Sequence, residues 1–154
     1  MTDRVPAAGF DPAAAGWSRQ EANTFLGSIT TVWRRDLDGS PSLGIFCEKQ
    51  HDNGWGNLHG GILMTLADVG LGAVVGRLRN RDRQPGEAPV RSPTIQLDVS
   101  FIGAVRMGEF VYTRAEALRL TRSLTFMRGT LLVGDTVVAS AQGVFKAMSP
   151  AGAG

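Results

Sequence analysis

One cysteine and two histidines are all that the 154 residues hold of the usual redox and metal-binding side chains. Cys47 cannot close an intrachain disulfide, which points to a reducing, cytoplasmic setting. The histidines have neither CxxC nor HExxH spacing around them, so no metal and no other cofactor are expected. A GxSxG elbow and a phosphate-cradling glycine loop are both missing, which disfavours a serine hydrolase of α/β type and a nucleotide hydrolase. The N-terminal MTDRVPAAGFDPAAAGW lacks the continuous apolar stretch of a signal peptide. The longest apolar run, residues 62–75, is broken by Asp68 and several glycines and falls short of the ~20 residues of a membrane span. No membrane partner is therefore expected. A formal charge of only +2 gives no case for nucleic acid either.

What remains is enough for one domain with a real core. Residues 1–27 read as an N-terminal segment, loosely ordered over the first seventeen. Ser18 and Glu21 there have the spacing of a capping box for a short helix ending near Phe25. Segments 28–37 and 42–50 read as strands joined by the turn-forming Asp38-Gly39-Ser40-Pro41. From His59 to Leu78 apolar residues recur at helical spacing: Leu63, Leu66, Gly70, Ala73 and Val74 on one face, Met64, Leu71 and Val75 on much of the rest. A helix apolar nearly all round belongs in the middle of something. Its glycines at 70, 72 and 76 weaken helicity and allow another backbone close. After a polar loop, 79–92, the segments 93–103, 109–120, 123–133 and 136–147 read as strands, with Gly134-Asp135 as a tight hairpin turn. Residues 149–154 form a tail. The predicted fold is α+β: a curved antiparallel sheet wrapped around one long helix, with the main domain spanning 28–148.

Chemistry concentrates between His51 and Asp68. Gly60 and Gly61 open the long helix, where the first N–H groups have no internal acceptors and the helix dipole favours negative charge. Gly60 N–H is thus a candidate oxyanion donor. Asp68 is the only ionisable residue between His59 and Arg77, on an otherwise apolar helix. Such a carboxylate resists desolvation and calls for a partner or a raised pKa. It could activate water or attack a carbonyl directly. Eight residues separate Gly60 from Asp68, or ~12 Å along a straight helix. One reacting carbonyl cannot touch both within a single chain. If both act together, one subunit must face its copy, and at least a homodimer with composite sites is expected.

Asn53, His59-Gly60-Gly61 and Asp68 resemble the signature of PaaI-type hotdog thioesterases, in which an acid follows nine residues after the His of an HGG turn. The resemblance runs over roughly residues 28–147 and includes the strand Thr94-Ile-Gln-Leu-Asp-Val-Ser-Phe101. It implies an acyl-CoA substrate, no cofactor, and a thioester carbonyl held by Gly60 N–H and the Asn53 amide while Asp68 supports the nucleophile. Thr94 would help to hold the water. Asn57 is a rival for the amide role. The resemblance also implies a homotetramer, as a pair of dimers.

Other residues admit plainer readings beside the functional ones. His59 suits a turn-shaping role better than that of a general base. Gly60 and Gly61 could simply ease the start of the helix, and Asp68 could be a buried structural acid. His59, Gly61, Trp55 and Arg122 are candidate substrate contacts, Arg122 as a basic residue at a strand start. Arg77, Arg79, Arg81 and Arg83 read as a solvated run, with coenzyme phosphates as the alternative ligand. Trp17, Trp33 and Trp55 read as packing anchors, and Cys47 as a small core residue. The function these readings favour is hydrolysis of an acyl-CoA thioester. The alternatives are a non-catalytic acyl-CoA-binding hotdog protein and a hotdog hydratase or dehydratase. The latter chemistry favours a helix His that this helix lacks.

Overall fold

The computed structural model describes residues 9–21 and 23–148. Seven strands form one antiparallel sheet: β1 (Ser18–Arg19), β2 (Trp33–Leu37), β3 (Ser40–Phe46), β4 (Thr94–Phe101), β5 (Phe110–Leu120), β6 (Leu124–Val133) and β7 (Thr136–Lys146). Their spatial order is β1-β2-β3-β5-β6-β7-β4. Two helices accompany them, a short α1 (Phe25–Ile29) and the long α2 (Gly60–Asn80), plus a 3-10 turn at Lys49–His51. The chain leaves β3, crosses the sheet as α2 and returns at the far edge as β4. This is the predicted hotdog arrangement.

α2 is held by Leu63, Leu66, Ala67, Gly70, Leu71, Val74 and Val75, all buried against the sheet's inner residues such as Ile45, Val111, Met127, Leu131 and Phe145. Its length and hydropathy would suit a membrane span, but this packing accounts for them. Gly70 shows why the helix sits so close: a Cβ there would lie 2.5 Å from the Thr113 side chain. The close neighbour is thus a threonine side chain rather than a second backbone, and Gly76 has open space around it. Met64 stays exposed while Asp68 and Ala73 are only half-buried, so the sheet of one chain covers α2 on one side.

The N-terminal region differs from its sequence reading. Ser18 and Arg19 pair with Arg34 and Trp33 as β1, and Gln20 N–H donates to the Val32 carbonyl. These sheet bonds take the backbone that a Ser18 cap would have turned into helix. The short helix begins later, where the Thr24 hydroxyl accepts from Gly27 N–H, and it runs to Ile29 across the expected boundary at 27. Segment 28–37 is consequently strand only from Trp33, and segment 42–50 begins earlier, at Ser40, and ends at Phe46. Trp17 is buried edge-on against Phe110, with Phe10 also on that ring, so this part of the N-terminal segment is a packed cover on the outer face. The expected tail at 149–154 lies outside the described residues. The loop 79–92 and the last four strands match their expected limits to within two residues.

Candidate active site

The loop from β3 to α2 is built on local hydrogen bonds. Asp52 Oδ1 accepts from Gly54 and Gly56 N–H, and Asn53 Oδ1 accepts from Trp55 and Asn57 N–H. Those two donors fix the Asn53 amide with its oxygen inward, so its NH2 is the free end, with no acceptor among the described residues. Asn57 instead spends an N–H on the Trp55 carbonyl. The geometry therefore favours Asn53 over Asn57 as an open amide donor. Both line a cavity of about 340 Å³ with Gly60, Leu63, Phe101 and Ile102.

His59 is the N-cap of α2, its Nδ1 accepting from Gly61 N–H at 2.9 Å. That bond puts the ring proton on Nε2 and gives His59 the turn-shaping role. It also occupies the Gly61 N–H, removing Gly61 as a second donor to substrate. Gly60 N–H has no acceptor among the described residues. It points from the first turn of the helix, where the dipole adds to its pull on negative charge. Phe101 closes over this donor: a Cβ on Gly60 would lie 3.3 Å from its ring.

Sequence reasoning passed over the residue that anchors this loop. His51 is buried, with Nδ1 accepting from Glu48 N–H and Nε2–H donating to the Ile29 carbonyl. Its own carbonyl accepts from His59 N–H. One residue, through its ring and its carbonyl, thus ties the end of α1 and the exit of β3 to the turn that presents Gly60. Its position two residues before Asn53 was the available signal.

Asp68 lies two turns further along α2, half-buried, with Oδ1 accepting from the Thr94 hydroxyl at 2.6 Å. The expected partner of the acid is therefore Thr94. A β-bulge makes the contact possible. Leu97, Val99 and Phe101 sit opposite Gly143, Ala141 and Ala139, so strict alternation would turn Ile95 inward. The register slips between Thr94 and Gln96, placing Thr94 opposite the buried Phe145 and leaving Ile95 exposed. Asp68 and Thr94 share a second cavity of about 430 Å³ whose walls include Leu26, Leu43, Val69, Ala73 and Phe145. Within one chain, then, the acid and the Gly60–Asn53 donors open into separate cavities.

The remaining candidates lie apart from both. Trp55 is 86% exposed at the loop tip, because the turn made by Asp52 and Asn53 carries it outward; it anchors nothing within the chain. Trp33 is half-buried. Arg122 is exposed in the β5–β6 turn just before the strand start, and its carbonyl accepts from Arg79. This places it at the far end of α2. The arginine run is not uniformly solvated: Arg77 pairs with Asp36, Arg83 with Glu87, and Arg79 reaches Thr125. A groove of about 450 Å³ between β3, β5 and β6 is bordered by the ion pairs Arg114–Asp38 and Arg128–Glu116, which leaves these charges satisfied.

The sequence profile of the thioesterase superfamily matches residues 56–140. A Pseudomonas aeruginosa protein described provisionally as an esterase is 33% identical over 112 residues, covering 73% of this chain and 78% of that protein. The chain belongs to the thioesterase superfamily. Among solved structures, a conserved Pseudomonas aeruginosa protein superposes with TM-score 0.69 at 26% identity, over 81% of this chain and 94% of its own. The phenylacetic acid degradation protein PaaI of Thermus thermophilus, solved as a point mutant, gives 0.67 at 18% identity over 80% and 98%. A hypothetical thioesterase of Streptococcus pneumoniae, solved with coenzyme A, gives 0.67 at 19% over 86% and 97%.

Proposed function

We propose that the protein hydrolyses acyl-CoA thioesters at composite sites, each made from the Gly60 end of one α2 and Asp68 of a second copy. The observation that carries this reading is the split itself. An open N–H and an open amide face one cavity, a carboxylate with a hydroxyl partner faces another, and about 12 Å of helix lies between them. Each half supplies what the other lacks for acyl transfer. The edge strand β4 supports a junction at this place. It pairs only with β7, and Ile95, Phe101 and Ile102 beside it are exposed apolar side chains.

In the proposed reaction Asp68, oriented by Thr94, takes a proton from water as the oxygen attacks the thioester carbonyl. Negative charge developing on the carbonyl oxygen is met by Gly60 N–H and the Asn53 NH2. Collapse of the tetrahedral intermediate breaks the C–S bond, and the proton held by Asp68 passes to the leaving thiolate. The products are a carboxylic acid, which then releases its proton to solvent, and coenzyme A. The coenzyme A bound to the Streptococcus pneumoniae relative supports the choice of carrier. Thiol release from a panel of acyl-CoAs, run beside Asp68→Asn, tests the reading. Turnover that disappears in the variant sustains it; no turnover on any thioester refutes it.

A further inference from the structure

We propose that the cavity beside Asp68 reads the far end of the acyl group, with Arg34 holding a terminal carboxylate, so that the preferred substrate is the thioester of a dicarboxylic acid. The inference rests on the thioesterase reading for the position of the reacting carbonyl. Arg34 stands in register with Leu43 across β2 and β3, and directly opposed residues share a face of the sheet. Leu43 is buried in the core, so Arg34 is a cation on the helix-facing side. It lines the same cavity as Asp68 and Thr94 and is half-buried there.

Its guanidinium has no acceptor among the described residues. Arg77, Arg83, Arg114 and Arg128 each have a carboxylate within 3.2 Å; Arg34 has none, and it is the one arginine in the walls of the Asp68 cavity among the described residues. Glu21 borders the cavity but is exposed and forms no ion pair with Arg34. Much of the remaining wall is apolar, with Leu26, Val32, Val69, Ala73 and Phe145. A methylene chain suits that wall, and a carboxylate suits a guanidinium fork. A cavity of about 430 Å³ lies within the range of small-ligand pockets.

The test compares kcat/KM for matched thioesters, glutaryl-CoA against pentanoyl-CoA and adipyl-CoA against hexanoyl-CoA. The wild type should favour at least one dicarboxylic member by about tenfold or more, the scale of a charge-assisted contact. Arg34→Met should bring that ratio near unity, and Arg34→Lys should keep part of it. A merely structural loss would depress both members and leave the ratio standing. A wild type that prefers the neutral members, or a ratio that survives Arg34→Met, overturns the proposal. Failure of the hydrolase reading is distinguishable, because S-alkyl-CoA thioethers with and without a terminal carboxylate can be compared by calorimetry. Tighter binding of the carboxylated thioether that vanishes in Arg34→Met would retain this assignment without turnover, and equal binding would overturn it.

Discussion

At its N-terminal end α2 offers donors that belong to the backbone and to one amide, held by bonds within a stretch of ten residues. Asn53, His59 and Gly61 are fixed by neighbours no more than four positions away. Two turns on, Asp68 depends on a residue 26 positions distant and on an irregularity in β4. The bonds that aim the donors at the first end are local, and the loop that carries them is tied down by His51 to the Ile29 carbonyl and by Leu58 N–H to the Val105 carbonyl. The second exists only once the sheet is complete. In the proposed reaction, stabilisation of charge thus falls to the rigid, locally bonded part, and proton handling to the part that tertiary packing assembles.

Removing the carboxylate should hurt most. Asp68→Asn keeps the size and the hydrogen bond to Thr94 but cannot take a proton; kcat should fall by about a thousandfold or more, measured by thiol release. Asn53→Ala removes one donor to the developing oxyanion and should cost about a hundredfold in kcat. The two variants together can break the comparison. If the ends act across a subunit boundary, mixing impaired Asp68→Asn with impaired Asn53→Ala after unfolding and refolding regenerates intact sites in mixed dimers. A statistical mixture should recover roughly a quarter of wild-type activity. No recovery, with exchange verified by mass, would mean that the two ends do not serve one carbonyl across a subunit boundary, and the composite site would fall.

The same contrast explains what could be read from the residues. The helix, its apolar faces and the HGG-to-Asp spacing were legible because periodicity and local spacing carry them. So were the last four strands, although the bulge that turns Thr94 inward was not: alternation puts Ile95 on that face, and nothing in Thr94-Ile95-Gln96 announces the slip. Ser18 and Glu21 mislead because capping spacing is a local signal. The competing β1–β2 pairing joins Ser18 to Arg34, sixteen residues on. Trp55 reads as an anchor on residue type alone, whereas the Asp52 and Asn53 turns decide its direction. Arg34 gives no sequence signal, since its neighbours Trp33 and Arg35 do not reveal which of the three faces the helix.

Thr94→Val tests how far the Asp68 end depends on its distant partner. The substitution keeps the shape but removes the hydroxyl that donates to Oδ1. A drop in kcat of about tenfold, with KM nearly constant, is expected if Thr94 orients the acid rather than binding the acyl group. A rise in KM alone would move Thr94 into substrate binding. At the other end Gly61→Ala should be milder. The added Cβ would meet His59 Nδ1 at 3.0 Å, so the cap must shift. A loss of about 1 kcal/mol in chemical denaturation, with kcat lowered only a few-fold, is the outcome expected of a cap.

The smallest effect concerns Cys47, next to the β3 exit that feeds the local end. Its backbone N–H donates to the Glu109 carbonyl, and its carbonyl accepts from Gly108 N–H. Burial, and then the nearby charges of Asp52, Glu109 and Glu48, push the thiol up to about 11. A raised thiol pKa means that the neutral form persists through the working range, and only roughly one part in a thousand would be thiolate at pH 8. The native chain should therefore give almost no colour with a thiol dye over the minutes of a thioesterase assay, while denaturant should release one thiol per chain. Rapid reaction in the native state would mean that the strand beneath the Gly60 turn opens readily. That would contradict the view that the N-terminal end of α2 is the rigid half of the site.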